Sequence, residues 1–250
     1  MDATTPSIEA AVERIGTEGF AVIPNLVDED RLARLSEDSD ALLHPIDQPG
    51  LNGTRATGRM FKGLFRSSRA FDDIIVHPTI LAVVRGVLVG PKQTESGYSS
   101  HYGNAFRDIQ LSTTMIKDVQ PGEDIRALHQ DDGYFPIPRP RQPLAVNTLL
   151  AIDPFTVANG ATRLVPRSHH WSKKLEPDHD FVTVEMDAGS ILIFNGAVWH
   201  GRGPNTTADR CRRALNIFYS CSWLRPLDGH YCGLPEADVD RLPAPLKALL

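Results

Sequence analysis

A histidine and a carboxylate stand two residues apart in this chain, at His129 and Asp131. In an extended segment alternate side chains point to the same face, so these two side chains can bind one metal ion together. Imidazole plus carboxylate suits iron(II) or a similar divalent ion better than zinc or copper. His200 is the best candidate for a third ligand, because it follows an apolar run and stands where a strand would end. Three such ligands on one side of a metal leave its other positions open to reactants.

Context strengthens this interpretation. A histidine-x-aspartate tripeptide alone is weak support for a metal site, since chance supplies one in many chains. Here the strand-end histidine follows further along the chain, and a cluster of arginines at 210, 212 and 213 lies in the β-prone segment after it. The combination predicts a metal centre with a cationic group close by.

The composition excludes several classes of protein. Of the 250 residues, 41% are hydrophobic and 23% are charged, as is ordinary for a globular protein. A net charge of -5 gives no basic surface for nucleic acid or an anionic membrane. No run approaches the roughly 18 apolar residues of a membrane span, and the N-terminus lacks the pattern of a signal peptide. The three cysteines have no CxxC spacing and are interpreted as reduced thiols, so we expect a cytoplasmic protein.

Helical patterns come first in the chain. Residues 7–18 have helical spacing with Ser7 as the N-cap, and residues 20–23 form a short β-prone run. A second helix opens at Asp28, and a third helical region covers about 70–89, where Pro78 begins a new helix. Residues 44–60 are rich in glycine and proline and are expected to form a loop.

From about residue 93, short β-prone segments alternate with turn residues. Strands are predicted near 110–118, 126–131, 144–152, 161–165, 181–186, 190–195 and 212–221. Many short, evenly spaced strands are typical of a sandwich or jelly roll. With no linker or repeat, we predict one domain over 1–250. Its helical part covers about 1–92, its jelly-roll core about 93–225 and its C-terminal tail 226–250.

The motifs, taken in order, resemble the phytanoyl-CoA dioxygenase family of iron(II)/2-oxoglutarate oxygenases over nearly the whole chain. The matching segments are Thr17–Pro24, His129-Gln130-Asp131, Asn159-Gly160-Ala161, Val165–His169, Trp199-His200-Gly201 and Arg212–Leu215. The resemblance implies an α+β, mainly β fold: a double-stranded β-helix (a cupin-like jelly roll) with N-terminal helices packed on its major sheet. It also implies that His129, Asp131 and His200 bind catalytic iron(II), with 2-oxoglutarate as co-substrate and dioxygen as oxidant.

The residue chemistry agrees with that implication. Three open metal positions fit two oxygens of a 2-oxo acid plus dioxygen. Halogenating relatives carry a small residue where this chain has Asp131, so oxygen insertion or desaturation is favoured over halogenation. The far carboxylate of 2-oxoglutarate needs a cation, and the planar fork of arginine suits it.

Arg212 is the candidate for that cation, because the family places it just before an arginine- or lysine-alanine pair. Strand parity supports the choice, since Arg212 shares a face with Ala214 and Asn216 while Arg213 shares the apolar face. The alternative is a solvated surface arginine. Thr148 and Lys117 are further candidates for binding the co-substrate, with a structural strand threonine and a surface lysine as the alternatives.

Arg202 departs from the family pattern, because many relatives carry a small polar residue two places after the distal histidine. It either points away from the pocket or contacts an anionic group, and the sequence leaves both open.

The substrate is expected to be a small molecule such as a secondary metabolite, because no basic cluster is built for a coenzyme A tail. Candidate substrate-lining residues, each with ordinary core or turn as the alternative, are Tyr134, Phe135, Trp199, His101 and Phe218, with Tyr98 near the rim. The expected reaction is hydroxylation of a C–H bond with release of succinate and CO2. Desaturation, epoxidation or rearrangement by the same cofactors, a non-catalytic jelly-roll binding module, and a cupin-type isomerase or hydrolase remain as alternatives.

Overall fold

The computed structural model describes residues 5–45, 58–90, 108–124, 127–172, 174–175 and 179–250. No helix in these ranges is long and apolar enough to cross a membrane. The helices are α1 Ile8–Glu18, α2 Glu29–Leu42, α3 Leu64–Ser67, α4 Asp72–Ile75, α5 Pro78–Leu88, α6 Glu236–Val239 and α7 Ala244–Lys247.

Two antiparallel sheets carry the fold. The strands are β1 Phe20–Ile23, β2 His44–Pro45, β3 Arg59–Lys62, β4 Ile109–Val119, β5 Ala145–Ala151, β6 Thr162–Leu164, β7 Val182–Val184, β8 Ile191–Asn195, β9 His200–Arg202 and β10 Arg212–Cys221. The major sheet has the order β1-β8-β5-β10-β4-β3-β2, and the minor sheet has the order β7-β6-β9. Apolar side chains from both sheets pack in one buried cluster, so the sheets face each other. The predicted jelly roll with N-terminal helices on the major sheet is confirmed.

The major sheet separates two apolar clusters, because successive residues of a strand point to opposite faces. In β10, Leu215, Ile217 and Tyr219 join the cluster beneath the helices, whereas Ala214 joins the cluster between the sheets. We call these two sides the helix face and the interior face. The interior face of β10 therefore carries Arg212, Asn216 and Phe218 by the same alternation.

The helix termini follow local sequence signals. The side chain of Ser7 accepts a hydrogen bond from Ala10 N (3.2 Å) and caps α1, as predicted. Gly19, at φ +96°, ends α1 in the left-handed region that favours glycine. Asp28 caps α2 through Arg31 N (2.8 Å), and Pro78 is the first residue of α5. These predicted helices are confirmed, although the region from residue 70 is divided between α4 and α5.

Three predictions about elements were wrong. Of the strand expected over 126–131, the described residues 127–131 keep an isolated bridge at His129, and a 3₁₀ turn follows at Asp131–Tyr134; residue 126 lies outside the described ranges. The chain turns there because Asp132 N donates to Gly196 O (3.0 Å) and Phe135 N to Asp132 O (3.1 Å). The loop expected over 44–60 includes strands β2 and β3 at its ends, and residues 46–57 lie outside the described ranges. His200 stands at the start of a short strand, β9, five residues after β8 ends at Asn195, and not at the end of a strand.

The predicted division into a helical part, a jelly-roll core and a C-terminal tail stays a prediction. The residues assigned to a tail nevertheless pack on the core: Leu111 N donates to Leu249 O (2.8 Å), and Leu246 is buried beneath the helices.

Candidate active site

The backbone holds His129 and His200 opposite each other. His129 N donates to His200 O (2.8 Å), and His200 N donates to His129 O (2.9 Å). The two imidazole centroids are 4.4 Å apart. Nδ1 of His200 donates to the carbonyl oxygen of Val198 (2.9 Å), which fixes the ring and makes Nε2 the nitrogen that would bind a metal.

The carboxylate of Asp131 lies between the two rings. Its Oδ1 is 3.2 Å from His129 Nε2, and its Oδ2 is 3.3 Å from His200 Nε2. Burial raises the pKa of Asp131, but the charge of His200 and hydrogen bonds from both imidazoles outweigh it and hold that pKa well below its ordinary value. An ionised carboxylate beside two imidazoles is a donor set that fits iron(II).

The cluster is compact and open on one side. One ligand atom from each of His129, Asp131 and His200 lies within 4.8 Å of the others. The side chain of His129 is 57% exposed, whereas that of His200 is 6% exposed. Reactants can therefore approach along His129, while His200 closes the other side.

Two buried asparagines, which the sequence analysis missed, lie behind Asp131. Nδ2 of Asn147 donates to Oδ2 of Asp131. Nδ2 of Asn216 donates in turn to Oδ1 of Asn147 and to the carbonyl oxygen of Thr148 (2.9 Å). A sequence signal could have found them, because each is a polar residue on the interior face of a largely apolar strand.

Arg212 is a buried cation that has no acidic partner among the described residues. It is 2% exposed, and its guanidinium carbon lies 4.3 Å from the ring centroid of Phe155. Nη2 donates to Gly160 O (2.9 Å), but Nε and Nη1 have no hydrogen-bond partner in the described chain. Burial, and then the charge of Arg202, lower the pKa of Arg212 to about 10. Two unpaired donors on a buried guanidinium fit a ligand carboxylate.

Lys117 lies on the same interior face as Arg212. It stands opposite Ala214 in the register of β4 with β10 and is half-buried. Burial lowers its pKa to about 8, against the opposing charge of Asp131. Because Lys117 interacts electrostatically with both Asp131 and Arg212, it connects the metal-ligand cluster with the buried guanidinium.

Thr148 was wrongly predicted as a co-substrate residue. It lies on the helix face, between Val146 and Leu150 of the cluster beneath the helices. Its Oγ1 donates to Ile217 O (3.1 Å). The physical reason is strand parity: Asn147, one residue earlier, is the side chain of β5 that faces the site.

Arg202 is oriented toward an acid. Its Nη1 lies 3.3 Å from Oε2 of Glu123, a carboxylate whose side chain is 1% exposed. Glu123 also accepts hydrogen bonds from Gly58 N (2.9 Å) and Gln120 N (3.2 Å). Of the two orientations left open by the sequence, Arg202 therefore contacts an anionic group, and that group belongs to the protein.

Asp132 is directed away from the metal-ligand cluster and anchors the proline-rich segment that follows. Its buried carboxylate accepts hydrogen bonds from Arg139 and Arg141 (2.5 Å for Arg141). Arg139 also donates to Gln130 Oε1 (2.6 Å). This network fixes the segment beside Asp131 without adding a ligand.

Replacing Asp132 by alanine is expected to lower the free energy of unfolding by about 3–5 kcal/mol, because it leaves two largely buried guanidiniums without their acid. Urea unfolding measures the loss. The matched control is Asp238→Ala, whose partner Arg241 is exposed, and its cost should stay below about 1 kcal/mol. Equal small losses in both variants would show that Asp132 does not anchor the segment.

The predicted substrate residues do not form one described cluster. Phe218 is buried on the interior face opposite Asn147, next to the site. Tyr134 is 72% exposed, and Phe135 is half-buried, on the turn that begins at Asp131. The backbone N–H of Trp199 donates to Ser168 Oγ (2.9 Å), and its buried indole N–H has no partner in the described chain. His101 and Tyr98 lie outside the described residues.

The histidines of the turn at 168–170 have a structural role. Nε2 of His169 and of His170 lie 3.0 Å and 3.1 Å from the carbonyl oxygen of Gly16 in α1. They tie this turn to the first helix, away from the metal-ligand cluster.

Comparison with known proteins now decides the family. The sequence model described as phytanoyl-CoA dioxygenase (PhyH) matches residues 16–214. This chain belongs to the phytanoyl-CoA dioxygenase family. It is 30% identical to the dioxygenase af480 of Aspergillus fumigatus, over 98% of this chain and 77% of af480. It is 28% identical to the iron/alpha-ketoglutarate-dependent dioxygenase ausU of Aspergillus calidoustus, over 90% of this chain and 75% of ausU.

A solved structure shares the fold. The epimerase SnoN, in complex with Fe3+, alpha ketoglutarate and nogalamycin RO, superposes with a TM-score of 0.66 at 18% identity and covers 95% of this chain and 90% of SnoN. Together with the family match, this confirms the predicted family and fold. The family match and the dioxygenase relatives confirm the enzyme class, a 2-oxoglutarate-dependent non-haem iron dioxygenase that uses iron(II), 2-oxoglutarate and dioxygen.

Proposed function

We propose that this dioxygenase oxidises a C–H bond of a small secondary metabolite, with hydroxylation as the outcome and release of succinate and CO2. The observation that carries the proposal is one arrangement: two imidazoles and a carboxylate converge, and a buried arginine with unpaired donors lies on the adjoining interior face. When bound, iron(II), 2-oxoglutarate and dioxygen supply the oxidising power. The protein positions these reactants and shields them from competing reactions.

Each residue has a distinct part in this proposal. His129, Asp131 and His200 hold the iron(II) and leave its exposed side to reactants. Arg212 binds the far carboxylate of 2-oxoglutarate through the two donors that no described residue uses. Lys117 lies on the same interior face as Arg212, interacts electrostatically with Arg212 and Asp131, and adds a second positive charge there.

The substrate then approaches from the open side of His129. Phe218 closes the interior beside the metal ligands, and Tyr134 and Phe135 stand on the turn that carries Asp131. Aromatic side chains at this opening suit an apolar small molecule. The structural neighbour SnoN supports this class, because its solved complex contains nogalamycin RO.

Desaturation, epoxidation and rearrangement are alternative outcomes of the same cofactor chemistry. The SnoN structure is that of an epimerase, so this fold also carries a change of configuration with no oxygen inserted. Product mass separates hydroxylation from the others, because hydroxylation adds one oxygen, desaturation removes two hydrogens and epimerisation leaves the mass unchanged.

The test is a substrate screen with two readouts. Iron(II)-loaded protein is mixed with 2-oxoglutarate, dioxygen and candidate secondary metabolites, and substrate-dependent succinate and product mass are followed. We expect succinate release to rise with at least one compound and to match product in amount. Succinate release that no compound raises above the level of an Asp131→Ala control would contradict the proposal and favour a non-catalytic binding module.

A further inference from the structure

We propose that Asn147 and Asn216 are positioning residues for Asp131: they occupy one carboxylate oxygen and so leave the other as the single ligand atom for the metal. This inference rests on the proposed function, because it concerns how the iron ligand Asp131 is presented. The two asparagines contribute no ligand themselves.

The two side chains meet because of strand register. Asn147 of β5 stands opposite Phe218 of β10, and Asn216 of β10 stands opposite Leu149 of β5. The asparagines are therefore diagonal neighbours on the interior face, a separation that side chains of this length can bridge. Asn147 is 4% exposed and Asn216 is 3% exposed, so water does not compete for their hydrogen bonds.

The direction of this hydrogen-bond chain is fixed at its far end. The carbonyl oxygen of Thr148 can only accept a hydrogen bond, so the group of Asn216 that faces it must be the Nδ2 amide. The same Nδ2 also donates to Asn147, so Asn147 presents Oδ1 to it. The Nδ2 group of Asn147 is then necessarily the group turned toward Oδ2 of Asp131.

This orientation makes the two oxygens of Asp131 unequal. Each oxygen lies near one imidazole, Oδ1 at 3.2 Å from Nε2 of His129 and Oδ2 at 3.3 Å from Nε2 of His200. Only Oδ2, among the described contacts, also accepts an amide hydrogen bond. A metal held by the two imidazoles would therefore meet Oδ1 as the oxygen that no asparagine amide occupies. Partners of this kind orient a metal ligand and tune its basicity, and their removal typically weakens metal binding roughly 10- to 100-fold.

The test compares metal binding by three variants of the 250-residue chain. Asn147→Leu removes the donor to Asp131 at nearly constant volume, and Asn216→Ala releases Asn147 without touching Asp131. Thr148→Val is the matched control, because it removes a buried hydrogen bond from the neighbouring position on the helix face. Anaerobic titration with cobalt(II), a spectroscopic substitute for iron(II), gives the dissociation constant and the visible absorption spectrum of each protein.

Asn147→Leu is expected to raise the cobalt(II) dissociation constant roughly 10- to 100-fold, and Asn216→Ala by a smaller factor, because the amide of Asn147 can then rotate. At saturating metal, Asn147→Leu is also expected to change the cobalt(II) spectrum, since a released carboxylate can bind through both oxygens. Thr148→Val should lower the thermal midpoint of the metal-free protein and leave both metal readouts unchanged.

The proposal is overturned if folded Asn147→Leu and Asn216→Ala bind cobalt(II) with the wild-type dissociation constant and spectrum. A thermal midpoint lowered without a change in metal binding would show a purely structural role and would overturn it equally. The proposed function fails in a different way, because there no candidate compound would raise succinate release by the wild-type protein, whatever its dissociation constant for cobalt(II).

Discussion

Replacing Asp131 by alanine is expected to abolish substrate-dependent succinate formation, with a loss of at least about 1,000-fold. Removal of a group that merely orients a metal ligand costs roughly 10- to 100-fold, so removal of the ligand itself should cost more. The variant keeps the two imidazoles and loses the negative charge that favours a hard divalent ion at this position. Succinate release and iron content after gel filtration measure the effect.

The matched control for this prediction is His170→Ala. His170 is an exposed histidine that contacts α1 through Gly16 and lies outside the metal-ligand cluster, so turnover and iron content should stay at the wild-type level. Wild-type turnover in Asp131→Ala would remove the carboxylate from the proposed ligand set.

Replacing Arg212 by leucine is expected to raise the KM for 2-oxoglutarate at least about 100-fold. Loss of one partner of a buried, hydrogen-bonded charge pair costs roughly 2–5 kcal/mol, and a factor of ten corresponds to about 1.4 kcal/mol. The metal-free variant should be no less stable than the wild-type protein, because the guanidinium that it loses is buried without an acidic partner in the described chain. Steady-state kinetics and thermal unfolding measure the two effects.

Arg213→Leu provides the control from the opposite face of β10. Arg213 pairs with Asp153 (2.7 Å) and Asp40 (2.8 Å), so its loss should lower the thermal midpoint and leave the KM for 2-oxoglutarate unchanged. Equal KM values for the two variants, or an unchanged KM in Arg212→Leu, would exclude Arg212 as the carboxylate-binding residue.

Strand parity was the most productive sequence signal. In β10 it separated Arg212 from Arg213, and the structure places the first on the interior face and the second in ion pairs beside the helices. Parity succeeds there because β10 is long and both of its faces are buried, so a shift of one residue would exchange every side chain between the two faces. The same rule, applied to β5, would have rejected Thr148 and drawn attention to Asn147.

The conformation of the segment around His129 could not be predicted from the sequence pattern. The prediction that His129 and Asp131 share one face assumed a strand, but the chain leaves the extended conformation at Asp131. What stops the strand is a set of distant partners: Gly196 accepts from the backbone of Asp132, and two arginines of the next segment hold its carboxylate. Local spacing contains no information about partners that tertiary structure supplies.

The asparagine pair was missed for a related reason. A single asparagine in an apolar strand is read as an irregularity, and the register that joins Asn147 to Asn216 exists only once β5 and β10 are aligned. Motif matching located the metal ligands because their spacing is local or typical of the family. Groups that orient those ligands come from other strands and become visible only in three dimensions.

The most direct test of the central claim is an anaerobic titration of the iron(II)-loaded protein with 2-oxoglutarate, followed by visible absorption. The arrangement of His129, Asp131 and His200 beside Arg212 predicts a new charge-transfer band that saturates at one 2-oxoglutarate per protein. In Arg212→Leu the band should appear only at much higher 2-oxoglutarate concentration, and in Asp131→Ala it should be absent. No band in the wild-type protein at saturating 2-oxoglutarate, or an identical titration in all three proteins, would contradict the account.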